Sequence, residues 1–355
     1  LAKRHTNLSR KQKNGQFFTT NADHILGGYE DIVRNKTVID PFAGGKDLLL
    51  WAEKNGATNT VGYDLEPTSE DIIKNDSIAD PPSYENMVLV TNPPYLSRNK
   101  FKGDKHIFDV WKQNDLYKCH LASLDVRGCE EAVIILPSNF ICESSSRARK
   151  MLFETHYIVS AKYWNEPVFE DATTGICVIH IRKGKKPRQE FILQHVSDNE
   201  NINIKLEERH SYLHGDDFFD HILRASGDIE IIKTDIGMKD PNTNIVVGLL
   251  DNGKWQSGLS YNEGDPLFSK PKSFTTYQLT IPNITLTENE QKEVIEKFNK
   301  TLSYYRRKYH DLFLSNYMGP RQKILSRSFI NKLLEVSLKD LGLDKESNTI
   351  EEFFG

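Results

Sequence analysis

The chain has 355 residues, 38% hydrophobic and 27% charged, which suits a soluble globular protein with a sizeable core and favours two domains over one. Its 46 basic and 50 acidic residues give a net charge of −4, so total charge does not announce a nucleic-acid binder and any such surface must be local. Apolar runs such as Ala132–Leu136 are far too short to span a bilayer, and the basic, polar start Leu1–Lys13 lacks the apolar core of a secretion signal. A cytoplasmic protein, neither secreted nor membrane-bound, is expected.

Short β-branched runs alternate with helical patterns through the first half of the chain. Strands are predicted at Thr37–Asp40, Thr60–Asp64, Met87–Thr91, Ala132–Pro137, Ile158–Trp164 and Ile176–Arg182. Asp47–Lys54 reads as a helix with Leu48, Leu49 and Ala52 inward, and a longer helix is predicted over His106–Leu124. Alternation of this kind predicts an α/β fold with a mostly parallel, Rossmann-like sheet. From about residue 190 the texture becomes more polar. Asp251-Asn252-Gly253 marks a hairpin turn between Ile245–Leu250 and Lys254–Leu259. Thr287 and Glu290 have the spacing of a capping box. A long helix with Val294, Ile295, Phe298, Leu302 and Tyr305 on one face follows it, and a second helix is predicted near Phe329–Leu341. The expected division is therefore 1–198 for the first domain and 199–355 for a mixed α+β module. Cys119, Cys129, Cys142 and Cys177 form no C-x-x-C pair, so free thiols in a reducing compartment are expected and no metal site is.

The sharpest local feature is Asn92-Pro93-Pro94-Tyr95, directly after the apolar run Met87–Val90. Two prolines cannot continue a sheet, so they fix a stiff turn at the carboxyl end of a strand, where ligands of open α/β sheets bind. The turn offers an amide side chain, the Pro93 carbonyl and an aromatic ring. Such groups suit a planar amine whose lone pair is delocalised into a ring. The Asn92 side-chain oxygen and the Pro93 carbonyl can accept its two N–H groups while positive charge develops on nitrogen. Tyr95 suits stacking on the base.

Asp40-Pro41-Phe42-Ala43-Gly44-Gly45 follows the first strand. Its small residues allow a ligand to approach the backbone, and it lacks the ending of a phosphate loop. An acid at the strand end suits the ammonium and sulfonium of S-adenosyl-L-methionine, although any tight strand-to-helix turn has similar composition. Asp64, with Leu65 beside it, stands 20 residues after Gly44, the spacing of an acid that accepts from ribose hydroxyls. Asp76 and Ser77 suit the cofactor's adenine amine or a simple Asx turn.

Together these residues resemble the N6-adenine DNA methyltransferases of restriction–modification systems, in the class whose cofactor motif precedes Asn-Pro-Pro-Tyr and whose recognition region is C-terminal. The likeness covers about the first half of the chain. It implies the S-adenosylmethionine-dependent methyltransferase fold, a catalytic domain at 1–198 and a DNA-recognition region at 199–355. Gly15-Gln16-Phe17-Phe18-Thr19 matches the family's N-terminal cofactor segment, which implies cofactor contacts for Phe18 and Thr19. Asp40, Phe42, Ala43, Gly44, Asp64, Leu65, Asp76, Ser77 and Asn92 fall at the other cofactor positions, and Asn92, Pro93, Pro94 and Tyr95 at the catalytic ones. Phe169 falls at the position of the aromatic that grips the other face of a flipped base, and equally suits a core position. The sequence departs from the family in having Lys46 after Gly44-Gly45, where Gly-x-Gly is usual, and Thr20 where Pro is frequent.

The resemblance implies double-stranded DNA as a partner and a restriction endonuclease acting on the same site as another. Candidate phosphate contacts are Arg98, Lys100, Lys102 and Lys105; Arg182, Lys183, Lys185, Lys186 and Arg188; Arg306, Arg307 and Lys308; and Arg321, Lys323 and Arg327. Asn242, Asn244, Asn252, Lys254 and Gln256 suit base edges. The rival readings are an RNA or protein-glutamine methyltransferase with the same turn, and a non-catalytic DNA-binding module in which Gly45-Lys46 marks a lapsed cofactor site.

Overall fold

The computed structural model describes residues 19, 21–142, 147–164, 168–169, 175–234, 241–249, 257–263, 276–309 and 327–344. These divide into two compact units between Leu213 and His214.

The first unit is built on a nine-stranded sheet. Its strands are β1 (Thr37–Asp40), β2 (Asn59–Asp64), β3 (Ile72–Lys74), β4 (Val88–Thr91), β5 (Glu131–Pro137), β6 (His156–Trp164), β7 (Ile176–Lys183), β8 (Gln189–His195) and β9 (Glu200–Leu206). The order is β3-β2-β1-β4-β5-β7-β6-β8-β9. Strands β3 to β5 are parallel, whereas β7 enters antiparallel between β5 and β6. The run 3-2-1-4-5 is the Rossmann order, with its switch point between β1 and β4. The expected α/β sheet is thus the one observed.

The central strands are buried on both faces, as their unbroken apolar sequences require. Among the described residues this unit has seven short helices: α1 (Ala22–Leu26), α2 (Glu30–Val33), α3 (Asp47–Lys54), α4 (His106–Val110), α5 (Leu116–Ser123), α6 (Asn139–Cys142) and α7 (Arg147–Thr155). Helix α3 has the predicted bounds and buries Leu48, Leu49, Trp51 and Ala52.

Two expectations need correction. The single helix over His106–Leu124 is two helices, α4 and α5. Between them Lys112 adopts φ 53°, and Asp115 is extended, with its carboxylate accepting from the Leu96 amide at 3.1 Å. That bond and the bridge between Ser97 and Asp115 draw the chain back to the turn after β4. The first unit also runs past residue 198, because β9 pairs along its whole length with β8.

The second unit is mixed α+β. Strands β10 (Ile232–Lys233), β11 (Ile245–Gly248), β12 (Gly258–Tyr261) and β13 (Thr276–Thr280) form an antiparallel sheet in the order β10-β13-β11-β12. The predicted hairpin partners pair as β11 and β12, while the turn Asp251–Gly253 lies outside the described residues. Helices α8 (Asp216–Ile222), α9 (Glu288–Lys308) and α10 (Arg327–Asp340) also belong to the unit. The capping box forms as expected: the Thr287 amide donates to Glu290 at 2.7 Å and the Glu290 amide to Thr287 Oγ1 at 3.4 Å. Val294, Phe298, Leu302 and Tyr305 are the buried stripe of α9, with Ile295 at its margin.

Cys119, Cys129 and Cys177 are buried free thiols. Among the described residues no helix is long and apolar enough to cross a membrane.

Candidate active site

A cleft of about 870 Å³ opens at the carboxyl ends of the parallel strands. Its floor comes from three consecutive strand ends. Asp40 closes β1, Asp64 closes β2, and Asp76 follows β3. Thr19, Phe42, Ala43, Gly44, Leu65, Ser77, Asn92 and Pro94 also line it. Apart from Phe18, which lies outside the described residues, every residue expected at the cofactor therefore lines one cleft.

The geometry explains each position. Asp40 is 1% exposed. Its Oδ1 accepts from the Thr91 hydroxyl at 2.6 Å and from the Phe42 amide at 3.0 Å. Burial pushes its carboxyl up to about 7; the two hydrogen bonds oppose that rise and neighbouring Asp64 adds to it. Asp64 Oδ2 accepts from the Gly44 amide at 3.0 Å and Oδ1 from the Glu66 amide at 2.8 Å. Gly44 has φ 50°, in the left-handed region that glycine enters without a Cβ clash. Asp76 Oδ1 accepts from the Ile78 and Ala79 amides, both at 3.2 Å. Asp76 thus forms the expected Asx turn and also lines the cleft. Ser77 is buried and accepts from Asn75 at 3.0 Å.

The Lys46 departure has a structural reading. Lys46 sits at φ 71°, so the backbone there takes the form that glycine favours although the side chain is lysine. An ion pair with Asp71 holds that side chain.

Asn92 follows β4 directly, one residue after Thr91. Its Nδ2 donates to Thr19 Oγ1 at 3.1 Å, and its Oδ1 accepts from the Tyr95 hydroxyl. The Tyr95 hydroxyl also lies 3.0 Å from the Ile135 carbonyl. A phenol has one proton, so it serves these acceptors alternately. Burial holds this hydroxyl well above its ordinary value, which keeps it a donor. The next segment, Asn21, donates to the Val168 carbonyl at 3.1 Å. The sequence-distant pieces at residues 19–21, 92–95 and 168–169 are thereby tied together.

The aromatic expectations fare differently. Phe169 is 5% exposed and belongs to the core cluster with Trp164, Val168 and Ile176, against which Tyr95 packs. Neither Phe169 nor Tyr95 is on the wall of the cleft. Tyr95 instead meets Tyr117 edge-on, with centroids 6.1 Å apart.

Sequence reasoning missed the cleft's outer wall. Leu96, Phe101, Ile107, Val110 and Leu116, all after the turn Asn92–Tyr95, provide it. Lys102, expected at phosphate, lines this same wall, and Arg98 is bidentate with Asp109, with a second contact of 3.1 Å. Lys100 and Lys105 are exposed. His120 was also missed: it packs edge-on against Phe42 at 5.1 Å. Burial pushes it down to about 3, which leaves it neutral.

The other basic clusters separate into paired and exposed residues. Arg182 pairs with Glu131 at 2.7 Å and Arg188 with Glu190 at 2.5 Å, whereas Lys185 and Lys186 are exposed. Arg306, expected at DNA, is turned into the fold. It is 9% exposed, and its guanidinium donates to the Ser257 carbonyl at 3.2 Å and to the Ser257 hydroxyl. Arg307 is exposed, while Lys308 pairs with Asp217 at 2.7 Å. Asn242 likewise belongs to the fold, since it bonds the backbone of Ile281 and Ile284. Arg321, Lys323, Asn252, Lys254 and Gln256 lie outside the described residues.

The strand order and the turns at the strand ends give this chain a mostly parallel, Rossmann-like α/β fold. No protein-family profile and no curated protein matches the chain. Among solved structures it is similar to a modification subunit of a putative type I restriction enzyme from Vibrio vulnificus YJ016, at 13% identity and a TM-score of 0.41, over 61% of this chain and 54% of that one. The methyltransferase subunit of a type I restriction-modification system from Streptococcus thermophilus matches at 18% identity and a TM-score of 0.38, over 59% and 52% respectively. The type IIL restriction-modification enzyme MmeI, solved in complex with DNA, matches at 10% identity and 0.42, over 93% and 73%. The chain thus spans about half the length of the first two, at 54% and 52%.

Proposed function

We propose that the chain is a DNA methyltransferase that transfers the methyl group of S-adenosylmethionine to the N6 amine of adenine. The carrying observation is the meeting of Asn92 with Asp40, Asp64 and Asp76 in one cleft at the switch point of the sheet. The chemistry of the donor set fits the cofactor: a buried carboxylate for its cationic end, a second for the ribose and a third beside the adenine position. When bound, S-adenosylmethionine supplies an electrophilic methyl group.

The residues of this chain do the remaining work. Asn92 Oδ1 and the Pro93 carbonyl accept the two N–H groups of the substrate amine and stabilise the charge that grows on nitrogen. The Tyr95 hydroxyl, which donates to Asn92 Oδ1 and lies 3.0 Å from the Ile135 carbonyl, turns to that carbonyl as the amine arrives. No strong base is needed, because the methylated ammonium is acidic enough to lose its proton to water. The target base reaches this turn only outside the helical stack.

Within the same reading the first unit is catalytic and the second recognises DNA, with Lys185, Lys186 and Arg307 as exposed cations for phosphates. A restriction endonuclease with the same recognition site is the partner that such an enzyme serves, and its place is wherever that DNA resides. The test is transfer of tritium from labelled S-adenosylmethionine to duplex DNA, RNA and protein side by side. Label in duplex DNA supports the reading. Label in RNA or protein alone keeps the catalytic turn and removes the DNA assignment.

A further inference from the structure

Thr91 is the last residue of β4 and is fully buried at 0% exposure. It ends the run Val88-Leu89-Val90, where every other side chain is aliphatic. A buried hydroxyl in such a run costs free energy unless it finds a partner, and valine would fit the same pleated position without that cost. The partner here is Asp40 Oδ1, at 2.6 Å. The Phe42 amide reaches that same oxygen, so neither bond uses Oδ2.

We propose that Thr91 is a positioning residue for the cofactor, whose hydroxyl holds the Asp40 carboxylate in the charged form and orientation that receive the cationic end of S-adenosylmethionine. This rests on the reading of the cleft as a cofactor site. The groups around Asp40 give the hydroxyl its importance. Asp64 at the end of β2 opposes a second negative charge, and Asp47 at the start of α3 lines the same cleft. Tyr84, just before β4, is held protonated by burial, and His120 on α5 is neutral for the same reason. None of these four supplies a positive charge. Hydrogen bonds are therefore what favour ionised Asp40 against its burial, and Thr91 is the side chain that gives one.

The test is calorimetric titration of S-adenosylmethionine into the wild-type chain, Thr91→Val and Thr91→Ser, from about pH 6 to about pH 9. Affinity should rise with pH as Asp40 ionises. Valine keeps the shape and removes the donor, so its rise should move to higher pH by about one unit, with affinity about tenfold weaker near neutrality and nearly restored at the alkaline end. Serine, which keeps the donor, should restore the wild-type profile. A Thr91→Val profile that overlays wild type overturns the inference. So does equal weakening at every pH that serine does not relieve, because that is a packing defect. A wild-type chain that rises with pH while the variants fail these expectations leaves the cofactor site standing. One that binds no S-adenosylmethionine overturns the site and the inference together.

Discussion

The backbone amide of Gly44 donates to Oδ2 of Asp64 at 3.0 Å, across 20 residues of sequence. This bond joins the turn after β1 to the end of β2 and fixes the carboxylate at the cleft floor. Asp64→Ala removes it together with the bond from Glu66. The dissociation constant for S-adenosylmethionine should rise at least about tenfold, since bonds to a charged acceptor are worth about 1.5–3 kcal/mol. Calorimetry checks this, and an unchanged constant removes Asp64 from the site.

Asn92→Ala should separate chemistry from cofactor binding. Loss of a donor or acceptor aimed at developing charge costs about a hundredfold to a thousandfold in kcat. The carboxylates proposed to hold the cofactor, Asp40 and Asp64, remain, so its dissociation constant should stay within about threefold. Single-turnover transfer and calorimetry on the same preparation give both numbers, and a wild-type rate would remove the proposed role of Asn92.

Asp40 gives a prediction of opposite sign for stability. Its folded value of about 7 lies above the unfolded carboxylate value of about 3.9. A raised value means that the folded state holds the proton longer, so its stabilising effect is complete at low pH and is lost as pH rises through about 7. Asp40→Asn keeps an acceptor for Thr91 and Phe42 without the charge. The variant should melt higher than wild type at alkaline pH, with a difference that shrinks on acidification and closes near the unfolded value. It should also bind S-adenosylmethionine poorly. Equal melting curves at all pH would mean that burial does not penalise this charge.

The positive φ at Lys46 predicts an order among substitutions. Lys46→Ala retains the left-handed backbone and loses the Asp71 pair, whereas Lys46→Gly loses the pair but relieves the Cβ clash. Glycine should be the more stable of the two by about 1 kcal/mol. Urea midpoints decide this, and alanine matching glycine would show that the turn relaxes.

Much of the site was legible because its signals are local. The prolines of the turn after β4, the small residues after β1 and the spacing from Gly44 to Asp64 each belong to one short stretch of chain, and α3 has its predicted bounds. What escaped depends on partners far along the chain. The break at Lys112 carries no glycine or proline, and it follows from Asp115 bonding Leu96. Phe169 goes to the core because Trp164, Val168 and Ile176 surround it. Thr91 left a faint trace, a hydroxyl in an aliphatic strand, but its meaning required Asp40 beside it. Likewise, nothing in the sequence Tyr305-Arg306-Arg307 says which arginine turns inward.

That last distinction is testable. Arg306→Ala should destabilise the chain by about 1.5–3 kcal/mol, because a buried charged donor set loses its bonds to Ser257. Lys185→Ala with Lys186→Ala should leave the melting curve nearly unchanged. It should weaken DNA binding and flatten its salt dependence, because two phosphate contacts are lost. A salt slope equal to wild type would remove these lysines from the DNA surface.

The central claim concerns one nitrogen atom. The most direct measurement is mass-spectrometric analysis of deoxynucleosides from duplex DNA incubated with the protein and S-adenosylmethionine. N6-methyldeoxyadenosine, absent with Asn92→Ala, is the predicted product. N4-methyldeoxycytidine, or DNA without any methylated deoxynucleoside, would contradict the account.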